Sequence, residues 1–133
     1  MRMSPLLFTL FGLLPASLLA DSPIGAEEFD KYTRGKTLFY GFDGEPYGVE
    51  RYLPGRRVIW SFLDGDCLEG SWYQDSDQIC FLYEDRSDPQ CWHFELGDQG
   101  LTARLQGDAT STDLYEGNEI NAEMICHGPE VGV

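Results

Sequence analysis

The sequence predicts an all-β domain, an antiparallel meander of seven or eight short strands curled into a small barrel or half-open sandwich, with one short N-terminal helix. Three observations predict it. Turn signals recur at short, regular intervals: Asp43-Gly44, Pro54-Gly55, Asp64-Gly65, Asp75-Ser76-Asp77, Ser87-Asp88-Pro89 and Gly97 to Gly100. The runs between them alternate with the period of two that places successive side chains on opposite faces of a sheet. Between Cys67 and Trp92 three cysteines and two tryptophans fall in one stretch, the composition of neighbouring strands stapled by a disulfide.

The first twenty residues stand apart from this pattern. Arg2, an apolar run from Leu6 to Leu14, Pro15 and a short segment ending at Ala20 follow the order of a secretory signal peptide, with cleavage expected between Ala20 and Asp21. Leu18 is a less usual residue than Ala three positions before the cut, so the boundary is fixed only to within a few residues. The apolar run is shorter than the about 20 residues a membrane span needs, and no stable membrane insertion is expected after cleavage. Position 21 is Asp, so no lipid-modified cysteine is expected there. Residues 21–133 are then one soluble domain, periplasmic or secreted.

That domain begins with a short helix. Ser22 is placed to cap it, Pro23 to occupy its first turn, and Phe29 and Tyr32 share one face before Gly35 ends it near Arg34. Strands are expected over Lys36 to Phe42, Tyr47 to Leu53, Arg56 to Phe62, Cys67 to Gln74, Gln78 to Glu84, Gln90 to Leu96 and Leu101 to Gln106. The polar tract from Asp108 to Asp113 reads as a loop. Glu123 to Cys126 reads either as a last strand or as a tethered tail, and Gly128 to Val133 as a frayed end.

Two-residue turns at Asp64-Gly65 and Asp75-Ser76, with a third centred near Arg86-Ser87, would set the register. Ile59 would face Gly70, Trp60 would face Glu69, Trp72 would face Ile79 and Phe81 would face Trp92. That register collects Ile59, Leu68, Trp72, Ile79, Phe81, Tyr83, Trp92 and Phe94 on a core face, with Gly70 making room among them. Val58, Trp60, Phe62, Glu69, Ser71, Tyr73, Cys80, Leu82, Cys91 and His93 fall on a mixed second face. The helix near Phe29 and the C-terminal tail are expected to cover part of that face.

All four cysteines lie beyond the leader, and an even count in an exported chain favours disulfides. Cys80 and Cys91 share a face and sit diagonally on neighbouring strands, so a one-step bulge would bring them into bonding distance. Cys67 is on that face too but four residues out of step with Cys80, which makes the distant Cys126 its expected partner. Closing that longer loop is worth about 3 to 4 kcal/mol on a chain-entropy estimate. A zinc site is disfavoured, because there is no Cys-x-x-Cys and the two histidines, His93 and His127, lie beside cysteines at unsuitable spacings.

At this point the chain resembles a family of small exported proteobacterial proteins, mostly alphaproteobacterial, grouped as a domain of unknown function. The residues that carry the resemblance are the short helix with Phe29, Gly35-Lys36-Thr37, Gly44, Tyr47-Gly48, Pro54-Gly55-Arg56, Gly70-Ser71-Trp72, Ile79-Cys80-Phe81 and Gln90-Cys91-Trp92. The resemblance covers roughly residues 29 to 96 and adds support for pairing Cys80 with Cys91, but not for Cys67 with Cys126. It implies a fold and a compartment, and no catalytic residues.

Composition excludes more functions than it suggests. The formal net charge is −14, and loss of Arg2 with the leader makes it one unit more negative, so nucleic acid and anionic lipid are repelled. Walker-type phosphate loops, the Gly-x-Ser-x-Gly elbow and His-Glu-x-x-His are all absent from the sequence. The Asp pairs at Asp64 and Asp66 and at Asp75 and Asp77 do not continue into calcium-loop spacing and are better explained as turn residues. Arg56-Arg57 reads as a solvated strand end. No metal and no cofactor is expected.

Trp60, Glu69 and His93 are the candidate ligand-binding residues, an aromatic platform beside two hydrogen-bonding groups on the mixed face. The expected function is non-enzymatic binding of a small ligand or an envelope protein. An inhibitor or protein-interaction module with an acidic surface is the alternative, and an enzyme using Glu69 and His93 a further one. A deep pocket containing all three residues would favour ligand binding or catalysis. A filled barrel with acidic loops would favour the interaction module.

Overall fold

A computed structural model describes residues 12–13, 22–105, 113–117 and 123–127. Residues 1–11, 14–21, 106–112, 118–122 and 128–133, which take in most of the expected leader, the polar tract up to Thr112 and the end from Gly128 to Val133, lie outside the described residues. Eight strands close into one antiparallel barrel in chain order: β1 (Thr37–Phe42), β2 (Glu45–Leu53), β3 (Arg57–Ser61), β4 (Cys67–Asp75), β5 (Gln78–Tyr83), β6 (Gln90–Gly97), β7 (Gly100–Leu105) and β8 (Asp113–Glu116). β8 pairs with both β7 and β1, so the sheet has no free edge. The sequence misses β8 alone among these strands. Asp113–Glu116 is four residues long and follows a polar tract, so only its two neighbours make it a strand.

The tight turns form where local chemistry asks for them. Asp43 and Gly44 both adopt positive φ, the backbone of a two-residue hairpin turn, and Phe42 pairs with Glu45 across it. Between β3 and β4 the connection is instead five residues long. Leu63 and Gly65 take positive φ, and Asp64 Oδ1 accepts a hydrogen bond from the Asp66 amide at 3.0 Å. Ser61 therefore pairs with Cys67, and Trp60 faces Leu68 where the two-residue turn would have placed it opposite Glu69.

This one-residue shift changes which side of β3 faces inward. Val58 and Trp60 belong to the main core with Trp72, Ile79, Phe81, Tyr83, Trp92 and Phe94, whereas Ile59 packs on a separate outer cluster with Phe39, Val49 and Met124. The later hairpins differ from the expected register by two residues, which preserves the faces. Trp72 pairs with Phe81, Ile79 with Trp92, and Gly70 with Tyr83. A Cβ on Gly70 would meet the Leu82 carbonyl oxygen at 2.7 Å, so the space this glycine leaves is taken by β5 backbone and by the Tyr83 ring.

Both disulfides form between the expected partners. Cys80 and Cys91 are direct cross-strand partners with Cα atoms 3.9 Å apart, and no bulge is needed, because the β5 to β6 register already aligns them. Cys67 and Cys126 join with Cα atoms 5.5 Å apart across a separation of 59 residues, an entropic restraint worth about 4 kcal/mol. Glu123 to His127 is a tethered tail without strand structure, and it covers Ile59, Val49 and Phe39 through Met124.

Helix α1 (Ala26–Thr33) starts three residues after Pro23 and is capped by Gly25. Tertiary contacts set that start: the Ile24 amide donates to the Phe94 carbonyl at 2.8 Å and the Ala26 amide to Gln74 Oε1 at 2.7 Å. After the helix, the Gly35 amide donates to the Tyr52 carbonyl at 2.8 Å, and Tyr32 Oη donates to Glu116 Oε2 at 2.7 Å. Ala26, Phe29 and Thr33 form its buried stripe. Phe29 is wholly enclosed, with its ring centroid 5.6 Å from that of Tyr52, 5.0 Å from Trp72 and 4.7 Å from Phe94. The helix thus plugs one end of the barrel from within the core, and does not cover an outer face.

A candidate ligand cavity inside the barrel

The end away from the helix is not filled. It is bounded by the β1–β2, β3–β4 and β5–β6 connections, and beneath it lies a cavity with about 80 Å³ for the centres of water-sized molecules. That is room for several waters, since one needs about 10 to 15 Å³ by the same measure. Trp60, Phe81, Trp92 and Phe94 form much of its wall, and Tyr47 and Phe62 stand near the open end with Asp85 and Arg86. Phe62 is 54% exposed, and its ring centroid lies 5.3 Å from Trp60 and 5.7 Å from Tyr47, so the aromatic wall continues outward to solvent.

The position of Trp60 depends on a glycine across the sheet. A Cβ at Gly48 would lie 2.2 Å from the Trp60 ring, so only glycine lets the indole lie against β2. Next along β2, Glu50 pairs with Trp60, and with Tyr52 it points into the interior formed by β1, β3 and β5.

Glu50 is the unusual residue of this site. It is 1% exposed, and its Oε1 accepts a hydrogen bond from Tyr83 Oη at 2.8 Å. Its Oε2 is buried with no hydrogen-bond partner. Among the described residues no Lys, Arg or His pairs with it. Burial pushes the Glu50 carboxyl well above the usual carboxylate range, and the Tyr83 hydrogen bond offsets this only in part. Nearby, Tyr40 Oη and Tyr52 Oη are 2.7 Å apart. Burial raises the phenols of Tyr40, Tyr52 and Tyr83 too, and the Glu50 carboxyl adds to the rise in all three. The enclosure therefore disfavours charge on all four groups, which hydrogen-bond in two pairs and leave Glu50 Oε2 without a partner.

Of the residues singled out from the sequence, Trp60 lines this cavity and the other two do not. Glu69 is exposed on the barrel exterior, with an oxygen 4.0 Å from Arg57. His93 lies on another part of the exterior, where its Nε2 is 3.2 Å from Gln78 Nε2 and its Nδ1 is 3.6 Å from Asp77. The trio is not brought together, because the five-residue β3–β4 connection turns Trp60 inward while Glu69 and His93 remain on outward positions. Arg56 stacks over the Trp72 ring at 4.9 Å and closes the helix end further. Glu50, Tyr40, Tyr52 and Tyr83 had one signal in the sequence: Glu50 shares the parity of Tyr52 on β2, and the Pro54-Gly55-Arg56 turn puts it opposite Trp60.

No group of three or more His, Cys, Asp or Glu suited to a metal ion occurs among the described residues. No described helix is long and apolar enough to cross a membrane. The two disulfides point to an oxidising, non-cytoplasmic compartment. No family model, curated protein or solved structure matches the chain.

Proposed function

We propose that the domain is a non-enzymatic periplasmic or secreted binding protein, which holds a small, mainly apolar ligand with one polar end inside the barrel. The observation that carries this reading is Glu50 Oε2, a fully buried oxygen without a partner in an aromatic cavity that opens to solvent. Leaving such a group unsatisfied costs about 1 to 3 kcal/mol, and a ligand that meets it recovers that cost. An eight-stranded barrel is just wide enough inside for side chains to fill it or for it to hold one small ligand. The leader, the disulfides and the acidic charge suit an exported carrier, and Trp60 acts as wall where the sequence suggested a surface platform.

Methylcyclohexane tests the cavity without any polar requirement. It should raise Tm and alter emission from Trp60 and Trp92, both in the cavity wall. Ala103 is 1% exposed and lines the same space, so Ala103→Phe should fill it and abolish both responses. A native protein that ignores the hydrocarbon, or a folded Ala103→Phe protein that responds equally, would overturn the reading.

A further inference from the structure

The cavity holds more hydrogen-bond donors than it uses. Tyr40, Tyr52 and Tyr83 each carry one O–H, and a Glu50 carboxyl buried without a cation carries a fourth. Two hydrogen bonds are made inside the group, Tyr83 to Glu50 and one between Tyr40 and Tyr52. That leaves one O–H at Glu50 Oε2 and one on whichever tyrosine of the pair accepts.

Resting on the binding function proposed above and deepening it, we infer that the buried end of the ligand is a neutral acceptor oxygen of carbonyl type. It is held by the Oε2–H of Glu50, with the Tyr40–Tyr52 pair supplying the second donor. An acceptor without N–H or O–H groups of its own satisfies this surplus and adds no further unmatched donor. An ammonium group would instead bring surplus N–H donors to a site already rich in donors and require Glu50 to ionise in an aromatic enclosure whose charged residues, Asp85 and Arg86, come from the β5–β6 connection near the open end.

The surroundings of Glu50 fix the expected pH response. Tyr83 faces it from β5 and Tyr40 from β1, with Tyr52 on its own strand; Asp85 and Arg86 line the cavity from the β5–β6 connection. The neighbouring walls on β3, β6, β7 and β8 are Trp60, Gln90 with Trp92 and Phe94, Ala103 and Leu114, which carry no charge. The phenols titrate above their usual range, so Glu50 is the group whose ionisation removes a donor as pH rises.

Cyclohexanone, cyclohexylamine and methylcyclohexane, three probes on one ring, test the inference by titration of the whole mature protein. Cyclohexanone should bind about tenfold tighter than methylcyclohexane at mildly acidic pH, the gain of one well-made hydrogen bond. Its affinity should fall as pH rises through the Glu50 titration. Glu50→Gln keeps an acceptor for Tyr83 and a donor at the Oε2 position, so it should bind the ketone within about threefold and lose the pH dependence. Glu50→Leu leaves only the tyrosine donor, so the ketone's advantage over the hydrocarbon should shrink and its pH dependence disappear, the fold being checked by Tm. If methylcyclohexane binds and cyclohexanone gains nothing over it, the acceptor inference fails and the binding function stands. If cyclohexylamine binds tightest and Glu50→Gln abolishes it, the site is cationic and the inference is overturned. If neither ketone nor hydrocarbon binds, the binding function falls and the inference with it.

Discussion

The two ends of the barrel are built from the same kind of wall and finished differently. At one end α1 enters the interior, and the Phe29 ring, 0% exposed, meets Tyr52, Trp72 and Phe94 while backbone hydrogen bonds hold both helix flanks. At the other end Phe62 is 54% exposed over a cavity with an unsatisfied carboxyl oxygen below it. One end is closed by its own chain. The difference teaches where the domain keeps its stability and where it gives some up, because a filled aromatic core stabilises and a partly empty polar one does not.

The largest expected effect lies at the closed end. Phe29→Ala removes a fully enclosed ring whose neighbours come from β2, β4 and β6 and cannot all collapse together, so about 3 to 5 kcal/mol of stability should be lost in urea unfolding. A loss under about 2 kcal/mol would mean that α1 is peripheral and that the contrast between the ends is false.

A smaller effect belongs to the interior below the mouth. The folded pKa of Glu50 lies above its unfolded value, so its contribution to stability is complete below about pH 4.5 and is lost as pH rises toward the folded pKa. Over that window the native protein should lose about 1.4 kcal/mol per pH unit relative to Glu50→Gln, which carries no titrating group there. Parallel stability profiles for the two proteins would show that Glu50 is ionised or solvated, and the open end would no longer be a site of stored cost.

Most of the strand framework was legible in the sequence, whereas the plugging of one end by α1 and most of the site were not. Turn residues and period-two alternation are local, and they locate β1 to β7 within a residue or two. Cys80, Cys91, Cys67 and Cys126 pair as the composition and strand order suggest. The site depends on register between strands, and one connection decides it. Asp64-Gly65 looks like a two-residue turn, yet Cys67 is tied to Cys126 and the Gly65 carbonyl accepts the His127 amide, contacts made by a distant tail. The longer loop that results brings Trp60 inside opposite Glu50 and leaves Glu69 and His93 outside. Closure by β8 is equally non-local, since Asp113–Glu116 has no strand signal until β1 and β7 lie beside it.

The smallest expected effect on stability separates the two ends most cleanly. Phe62 follows β3, is more than half exposed, and packs edge-on against Trp60 and Tyr47 at the top of the cavity. Because only about half of its surface is withdrawn from water, Phe62→Ser should lower the unfolding free energy by about 1 kcal/mol, well short of the loss in Phe29→Ala. Its consequence should appear in the cavity. Removing the outer ring shortens the apolar wall and admits water toward Trp60, which weakens methylcyclohexane binding and shifts tryptophan emission to the red. A Phe62→Ser protein as destabilised as Phe29→Ala would make the mouth a second structural core. One with only that small loss and unchanged hydrocarbon binding would place the ligand below the rim, against Glu50 and the tyrosines alone.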